Sequence, residues 1–411
     1  MASDNIESEK PEEKQPRVEF NFPMLIVRTK RFAVVFDKLG SFRSSRYFSW
    51  LGLFLVPFVA GIAFYLIIIS LIGLLSNPGV GQVVRDLGPG SILLLPGINP
   101  LLPIVYGWIA IILAIVIHEG AHGIIARNVG LKVKSSGLLF FLFIPIGAFV
   151  DVDEEQIKKA RSRSSLKIMA GGVGANIVLA AICLMGVLLL VGSLTPIIDN
   201  GVYINDVTAG LPAQISGLMP KDVLIQIDNV RINGTTDLRV ILDNKTAGDT
   251  LKVTVLRGEN WQYQFSTTVN LTSSENRTVI GILSSDLMTK DRLTNYRTFS
   301  IDRLAMYLAP PTLASGLTPF SDAMAPFYSS PVPQWQILAN GLFWLWFVNF
   351  NVAIFNALPI YPLDGGRIFN ITLKRIAGKR ISEKAIYSIT IGATVACVIL
   401  FLSITILPFI M

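Results

Sequence analysis

His118 and His122 are the only histidines in the chain, and they stand four residues apart in His118-Glu-Gly-Ala-His122. On a helix, residues i and i+4 share one face about a turn apart, so both imidazoles can reach one metal ion. Glu119 then stands to one side of the pair, where its carboxylate can take a proton from water activated by that ion. The chemistry such a trio supports is metal-assisted hydrolysis. The stretch leading into it, Ile111 to Ile117, is wholly apolar. A carboxylate at bilayer depth costs about 2.5–3.5 kcal/mol on insertion scales, so ionisable groups in a membrane span mark functional sites. The bland alternative, a pair of satisfied histidines on a buried helix, is disfavoured by that cost.

A catalytic zinc takes three protein ligands and leaves a fourth position for water. With no third histidine, the remaining ligand must be a carboxylate. Asp364 is the choice: it follows a helix broken by Pro359 and Pro362, and Gly365 and Gly366 beside it permit close approach. Asp151, Asp153 and Glu154 compete, but they read better as a solvated acidic loop at the membrane surface. Cys183 and Cys397 each lie inside an apolar run and offer neither metal-ligand spacing nor a disulfide framework.

The elements that must position these groups are membrane spans. With 52% hydrophobic and 15% charged residues among 411, the chain is too apolar for a soluble globular protein. A net charge of +7 raises the question of nucleic acid, but the basic residues flank apolar runs; the partner they imply is a lipid bilayer, not nucleic acid. Apolar runs long enough to cross it fall at about 49–75, 104–126, 168–191, 335–358 and 386–410. We therefore expect a polytopic α-helical membrane protein of about five to six spans carrying a small inserted α+β, β-rich domain.

The expected organisation is an N-terminal tail over 1–48 (charged and disordered over 1–20), then the first part of the membrane domain over 49–193. The inserted domain covers 200–285, where short β-type runs alternate with turns such as Asn233-Gly234 and Arg257-Gly258. Residues 286–334, rich in Pro and Ser, are a linker or interfacial segment, and 335–411 complete the membrane domain around Leu363-Asp-Gly-Gly366 and a following basic loop. No cleavable signal is expected, because polar or mixed residues precede the first apolar run. Leu138–Val150 is too short and too interrupted, at Pro145 and Gly147, to span, which predicts a re-entrant or hairpin segment beside the site. The glycines of Gly171-Gly-Val-Gly-Ala-Asn176 read as helix packing; Asn176, polar at that depth, is a candidate for touching the site.

Basic segments fall before the first span, between the second and third, and between the fourth and fifth, which the positive-inside bias makes cytoplasmic. The metal motif then lies toward the cytoplasmic side at the same depth as Asp364, and the insert lies outside. Sequons at Asn233, Asn244, Asn270 and Asn276 in the insert give that side weak support.

The pair His118-Glu-Gly-Ala-His122 and Asn356-Ala-Leu-Pro-Ile-Tyr-Pro-Leu-Asp-Gly-Gly366, in this order and separated by a soluble insert, resembles the site-2 protease family of intramembrane zinc metalloproteases, peptidase family M50. The resemblance implies one Zn²⁺ per chain on His118, His122 and Asp364, with Glu119 as general base. Ile144-Pro-Ile-Gly-Ala-Phe-Val150 resembles the family's membrane-embedded strand, which is proposed to lie along substrate, so Gly147, Ala148, Phe149 and Val150 are candidate substrate contacts. Gly147-Ala148 departs from a more common Gly-Gly. Asn176 and Asn356 are candidates for holding substrate or the oxyanion. In the insert, Asp206–Leu218 and Lys221–Val230 resemble a PDZ domain, with a peptide-binding edge expected near Gly201, Val202, Tyr203 and Ile204.

The family further implies transmembrane protein substrates, shortened first by a site-1 protease, and a multi-pass protein of the cell membrane. Two rivals remain. A prenyl-protein endoprotease type could use the same histidine motif, but the Leu-Asp-Gly-Gly context argues against it. In a non-catalytic receptor the PDZ-like domain would be the functional part, and the presence of Glu119 disfavours that.

Overall fold

The computed structural model describes residues 17–142, 144–152, 156–157, 160–274, 277–300, 303–378 and 380–410. These form two compact units: residues up to Ile182 together with Trp344 onward, and Cys183–Phe343 between them.

The first unit opens with β1 (Val18–Asn21) and β2 (Met24–Thr29), then α1 (Ala33–Ser41), α2 (Arg43–Ser76), α3 (Pro78–Leu87) and α4 (Ile104–Asn128). Asn77 caps α3 by accepting from the Gly79 N–H at 3.0 Å, with Pro78 at the first helical position. After α4 come β3 (Val133–Phe141) and β4 (Ile144–Val152), then α5 (Ser162–Gly192). The expected hairpin is thus present as β3 and β4, part of an antiparallel sheet in the order β1-β2-β3-β4.

Residues 1–16 lie outside those described, but Val18–Asn21 is ordered strand, against the expected disorder through residue 20. The reason is pairing: a β3–β4 hairpin alone leaves the outer edge of β3 unpaired, and β2 fills it from Met24↔Phe141 to Thr29↔Ser136. β4 remains at the other edge of the sheet. Its inner face packs on α4, where Val150 and Val152 join Phe36, Ile125, Ala126 and Ile168 in one apolar cluster.

The second unit contains β5 (Thr195–Pro196), β6 (Val202–Val207), α6 (Pro212–Ile215), β7 (Val223–Ile227), β8 (Val230–Arg231), α7 (Thr235–Asp243), β9 (Thr250–Arg257) and β10 (Tyr263–Asn270). β11 (Thr272–Ser274), β12 (Arg277–Val279) and β13 (Ile282–Asp286) follow. The main sheet runs β10-β9-β7-β6-β13 with β8 on β7, around a core that includes Val202, Ile204, Leu224, Val253 and Val255. The small α+β, β-rich fold expected of the insert is thus present. Arg257-Gly258 does turn between β9 and β10, whereas Asn233-Gly234 leads into α7.

Residues 286–334, expected as a linker or interfacial segment, contain regular elements among those described. They fold as α8 (Thr289–Arg297), α9 (Leu304–Leu308) and β14 (Tyr328–Ser329), and β14 pairs with β5. Tyr296, Tyr307 and Phe320, all fully buried, meet edge to face, and Phe327 stacks on Trp261 at 4.6 Å. The aromatic side chains spread among the prolines supply an apolar core that composition alone concealed.

α10 (Trp335–Ala357) leads to α11 (Asp364–Ala377) and α12 (Glu383–Ile410). The segment after Asp364, expected as a basic loop, is helix. Asp364 in its first turn and Lys374 and Arg375 in its last oppose the backbone dipole at each end, a favourable arrangement. Among the described residues, five helices, α2, α4, α5, α10 and α12, are long and apolar enough to cross a membrane.

Candidate active site

His118 and His122 lie on the buried face of α4, at 7% and 8% exposure, with ring centroids 4.9 Å apart. Their Nε2 atoms stand 3.0 and 3.2 Å from Oδ2 of Asp364, itself 9% exposed. Residues 246 positions apart in the chain, 118 and 364, therefore meet at one point. Glu119 is half-buried, and one ligand atom of each of His118, Glu119 and His122 falls within 4.8 Å of the others.

Of His118, His122 and Asp364, the last two have their own support, whereas His118 Nδ1, also buried, has no hydrogen-bond partner among the described residues. His122 Nδ1 lies 2.7 Å from the Ile168 carbonyl on α5, a contact that makes Nδ1–H the donor and leaves Nε2 for a metal. α5 can come this close because residue 172 is glycine: a Cβ there would sit 2.6 Å from Nε2 of both histidines. Asp364 is positioned by the turn after α10. A Cβ at Gly365 would lie 2.3 Å from Leu358 O, and one at Gly366 would lie 2.4 Å from Tyr361 N. The two glycines thus let the start of α11 nest against its own turn, rather than admit another chain. Thr394 of α12 braces that turn, accepting from the Tyr361 N–H at 3.0 Å and donating to Thr390 O at 2.9 Å.

The donor set fits zinc. Ligands at about 2.0–2.1 Å in tetrahedral array are about 3.3 Å apart, close to the spacings between Asp364 Oδ2 and the two Nε2 atoms. Oδ2 is buried and, among the described residues, has no hydrogen-bond partner. A buried carboxylate oxygen that faces two imidazole nitrogens without hydrogen-bonding either calls for a cation among them. Asp151 is elsewhere engaged, accepting from Ser135 Oγ at 3.4 Å on the sheet. Asp153, Glu154 and the sequon at Asn276 lie outside the described residues.

The other candidates separate. Asn176 is fully buried; its amide donates to Ala114 O of α4 at 3.4 Å, a turn before His118, and its Oδ1 has no partner among the described residues. Asn356 turns back on its own helix, donating to Val352 O at 3.1 Å. Gly147, Ala148, Phe149 and Val150 lie on β4, paired to Leu139, Leu138, Gly137 and Ser136, with the far edge of β4 outside the ladder. A Cβ on Gly123, the residue after His122, would be 3.1 Å from Val150, so the strand runs directly beside the metal motif.

The expected peptide edge is corrected. Gly201 precedes β6, and Val202, Tyr203 and Ile204 belong to it; β6 is interior, with Tyr203 paired to both Val223 and Ser285. The sheet ends instead at β10 and β13. Alternation of buried and exposed residues identifies a strand but not its neighbours, so the sequence could not tell an interior strand from an edge.

Sequence reasoning missed Gly172 and Thr394. Gly172 was submerged among packing glycines. Thr390 and Thr394, one turn apart in an apolar span, were the available signal for the second.

Comparison with known proteins bears on the whole arrangement. A protein of Clostridium perfringens named as a candidate zinc metalloprotease is 27% identical, over 70% of this chain and 93% of its own. A membrane-bound transcription factor site-2 protease homolog of Arabidopsis thaliana is 26% identical over 50% of this chain and 41% of its own. The PDZ domain of an SdrC-like protein from Listeria monocytogenes is similar at 24% identity, covering 21% of this chain and 87% of that domain, with a TM-score of 0.19. The model of Peptidase family M50 matches residues 106–401, most of the chain and both motifs; the chain belongs to peptidase family M50, the metalloprotease family its paired motifs resemble.

Proposed function

We propose that the protein is an intramembrane zinc metalloendopeptidase that cuts transmembrane segments of other proteins, as the second cut in regulated intramembrane proteolysis. The observation that carries this reading is the convergence of His118, His122 and Asp364, with Glu119 alongside, on a helix apolar enough to span a bilayer. The names of the Clostridium and Arabidopsis relatives support it.

His118, His122 and Asp364 hold one zinc ion per chain. Bound there, zinc supplies Lewis acidity that makes water nucleophilic near neutral pH and polarises a peptide carbonyl. Glu119 accepts the proton of the attacking water on its carboxylate and returns it to the leaving amine. Ile168 holds the His122 imidazole in the tautomer that leaves Nε2 free to bind. A substrate helix hides its amides in internal hydrogen bonds and must unwind locally before attack. The free edge of β4, with Gly147 to Val150, pairs with the unwound stretch as an added strand and carries it past the motif. Asn176, whose Oδ1 has no partner among the described residues, lies a turn from these side chains and orders substrate polar groups there.

The site faces the cytoplasmic side of the cell membrane and the PDZ-like insert lies outside, excluding substrates that a site-1 protease has not yet trimmed. The test is cleavage of a single-span substrate by purified protein beside Glu119→Gln, with zinc measured in both. Cleavage by wild type alone, at equal zinc, is expected, with a loss of about 10²–10⁴-fold if the base acts as described. Absence of zinc from both proteins overturns the reading.

A further inference from the structure

Two spans present cations where the backbone already presents positive charge. Lys167, in the second turn of α5, has its Nζ 3.9 Å from the ring centroid of Trp50 on α2. Arg46 lies one turn before Trp50 and Arg163 one turn before Lys167. Both are exposed, and both are near enough for repulsion to act on the Lys167 ammonium. The two helices are in direct contact further along, where a Cβ on Gly52 would meet Ala170 O at 2.9 Å.

Among the described residues no carboxylate pairs with Arg46, Arg163 or Lys167. Neither α2 nor α5 has an acidic residue in its first turn, where the helix dipole favours one. An electrostatic rule is therefore broken twice at one place, without compensation inside the described protein. Asp153, Glu154 and Glu155 lie outside the described residues; at the depth of these cations the bilayer itself offers anionic headgroups. These helix ends are where apolar spans give way to polar chain, and Tyr47 and Trp50, 71% and 46% exposed, are the amphipathic aromatics that settle at headgroup level.

We propose that Arg46, Arg163 and Lys167 form a binding site for the phosphate of an anionic phospholipid headgroup. Basic pockets between spans bind such headgroups, and the position at the bilayer boundary selects a lipid over a free ion. The site is distinct from the metal centre but adjoins it. The residue after Lys167 is Ile168, whose carbonyl faces His122 Nδ1, so a bound headgroup pins the turn of α5 that orients that imidazole. Binding can be measured whether or not the protein proves to be a protease.

The test uses full-length protein in phosphatidylcholine bilayers containing a minority of brominated-chain phosphatidylglycerol, or of brominated phosphatidylcholine at the same mole fraction. The emission due to Trp50 is obtained by subtracting that of the Trp50→Phe variant in each background. Brominated phosphatidylglycerol is expected to quench it about fivefold more effectively, the effect of roughly one cation acting at an anionic surface. Combining Arg46→Gln, Arg163→Gln and Lys167→Gln should equalise the two lipids. Equal quenching in the wild type, or a preference that survives the substitutions, overturns the proposal. Loss of the preference on adding millimolar inorganic phosphate makes the ligand a free ion and overturns the lipid assignment. Thermal melting checks that the combined variant is folded; if it is not, Lys167→Gln alone must reduce the preference.

Discussion

At the scale of single residues, the distances around His118, His122 and Asp364 set what can change. Gly172 contributes no side chain, yet it determines how near α5 comes to both imidazoles, because a Cβ would stand 2.6 Å from each Nε2. Backbone and ring would have to move apart to admit it. Gly172→Ala is therefore expected to lower zinc affinity by about 10–100-fold, the usual effect of disturbing groups that orient metal ligands. Metal titration followed by competition with a chelator measures it. Glu119→Gln, by contrast, should leave zinc in place and remove turnover. The two variants thus separate holding the ion from moving the proton.

Helices and strands bring those residues together, and two of their devices can be tested. Asp364 reaches the histidines because α10 stops at Ala357 and α11 restarts at Asp364, with the intervening turn held by Thr394 of α12. Thr394→Val keeps the volume and removes the hydroxyl, leaving the Tyr361 N–H without its acceptor. Zinc affinity should fall about tenfold through the displaced Asp364, and the loss should appear in metal titration with the fold intact. In the insert, the residue before β7 and the last residue of β9 form an ion pair. Asp222, 1% exposed, accepts from Arg257 at 2.6 and 2.8 Å, and Arg257 also donates to Gly217 O. Burial lowers the tendency of the guanidinium to be charged, but the hydrogen bond to Asp222 outweighs it and raises the Arg257 pKa. Arg257→Ala leaves a buried carboxylate without its cation, at a cost of about 3–5 kcal/mol to the insert. Hydrogen exchange should accelerate in β7 and β9 while zinc content stays at the wild-type value.

For the whole molecule, the proposal that the insert screens substrates makes a directional prediction. Removing residues 200–285 should let the protein cut substrates that still carry a bulky outer domain, while trimmed substrates are cut as before. Discrimination that survives the deletion would place the screening elsewhere, for instance in residues 286–334. Those residues carry aromatic contacts of their own among Tyr296, Tyr307 and Phe320.

The sequence by itself determined the fold class, apolar spans with a small β-rich insert, and pointed to two motifs that the structure brings to one point. Runs of apolar residues longer than a bilayer can adopt few structures other than helices, and paired polar groups inside them need a partner. His118, His122 and Asp364 stood out as candidates for that reason: their cost in a membrane is large and their chemistry narrow. Tertiary structure decided the rest. That Gly172 stands against the histidines while Gly171 stands against Ile125 depends on the rotation of α5 about its axis, which side chains of other helices set. That β6 is interior, and that β1 and β2 complete the sheet with β3, depends on pairing between distant segments, and the period of two along one strand carries no record of its neighbours. The helix in α11 was hidden because its basic residues read as a solvated loop; only packing of its other face distinguishes the two.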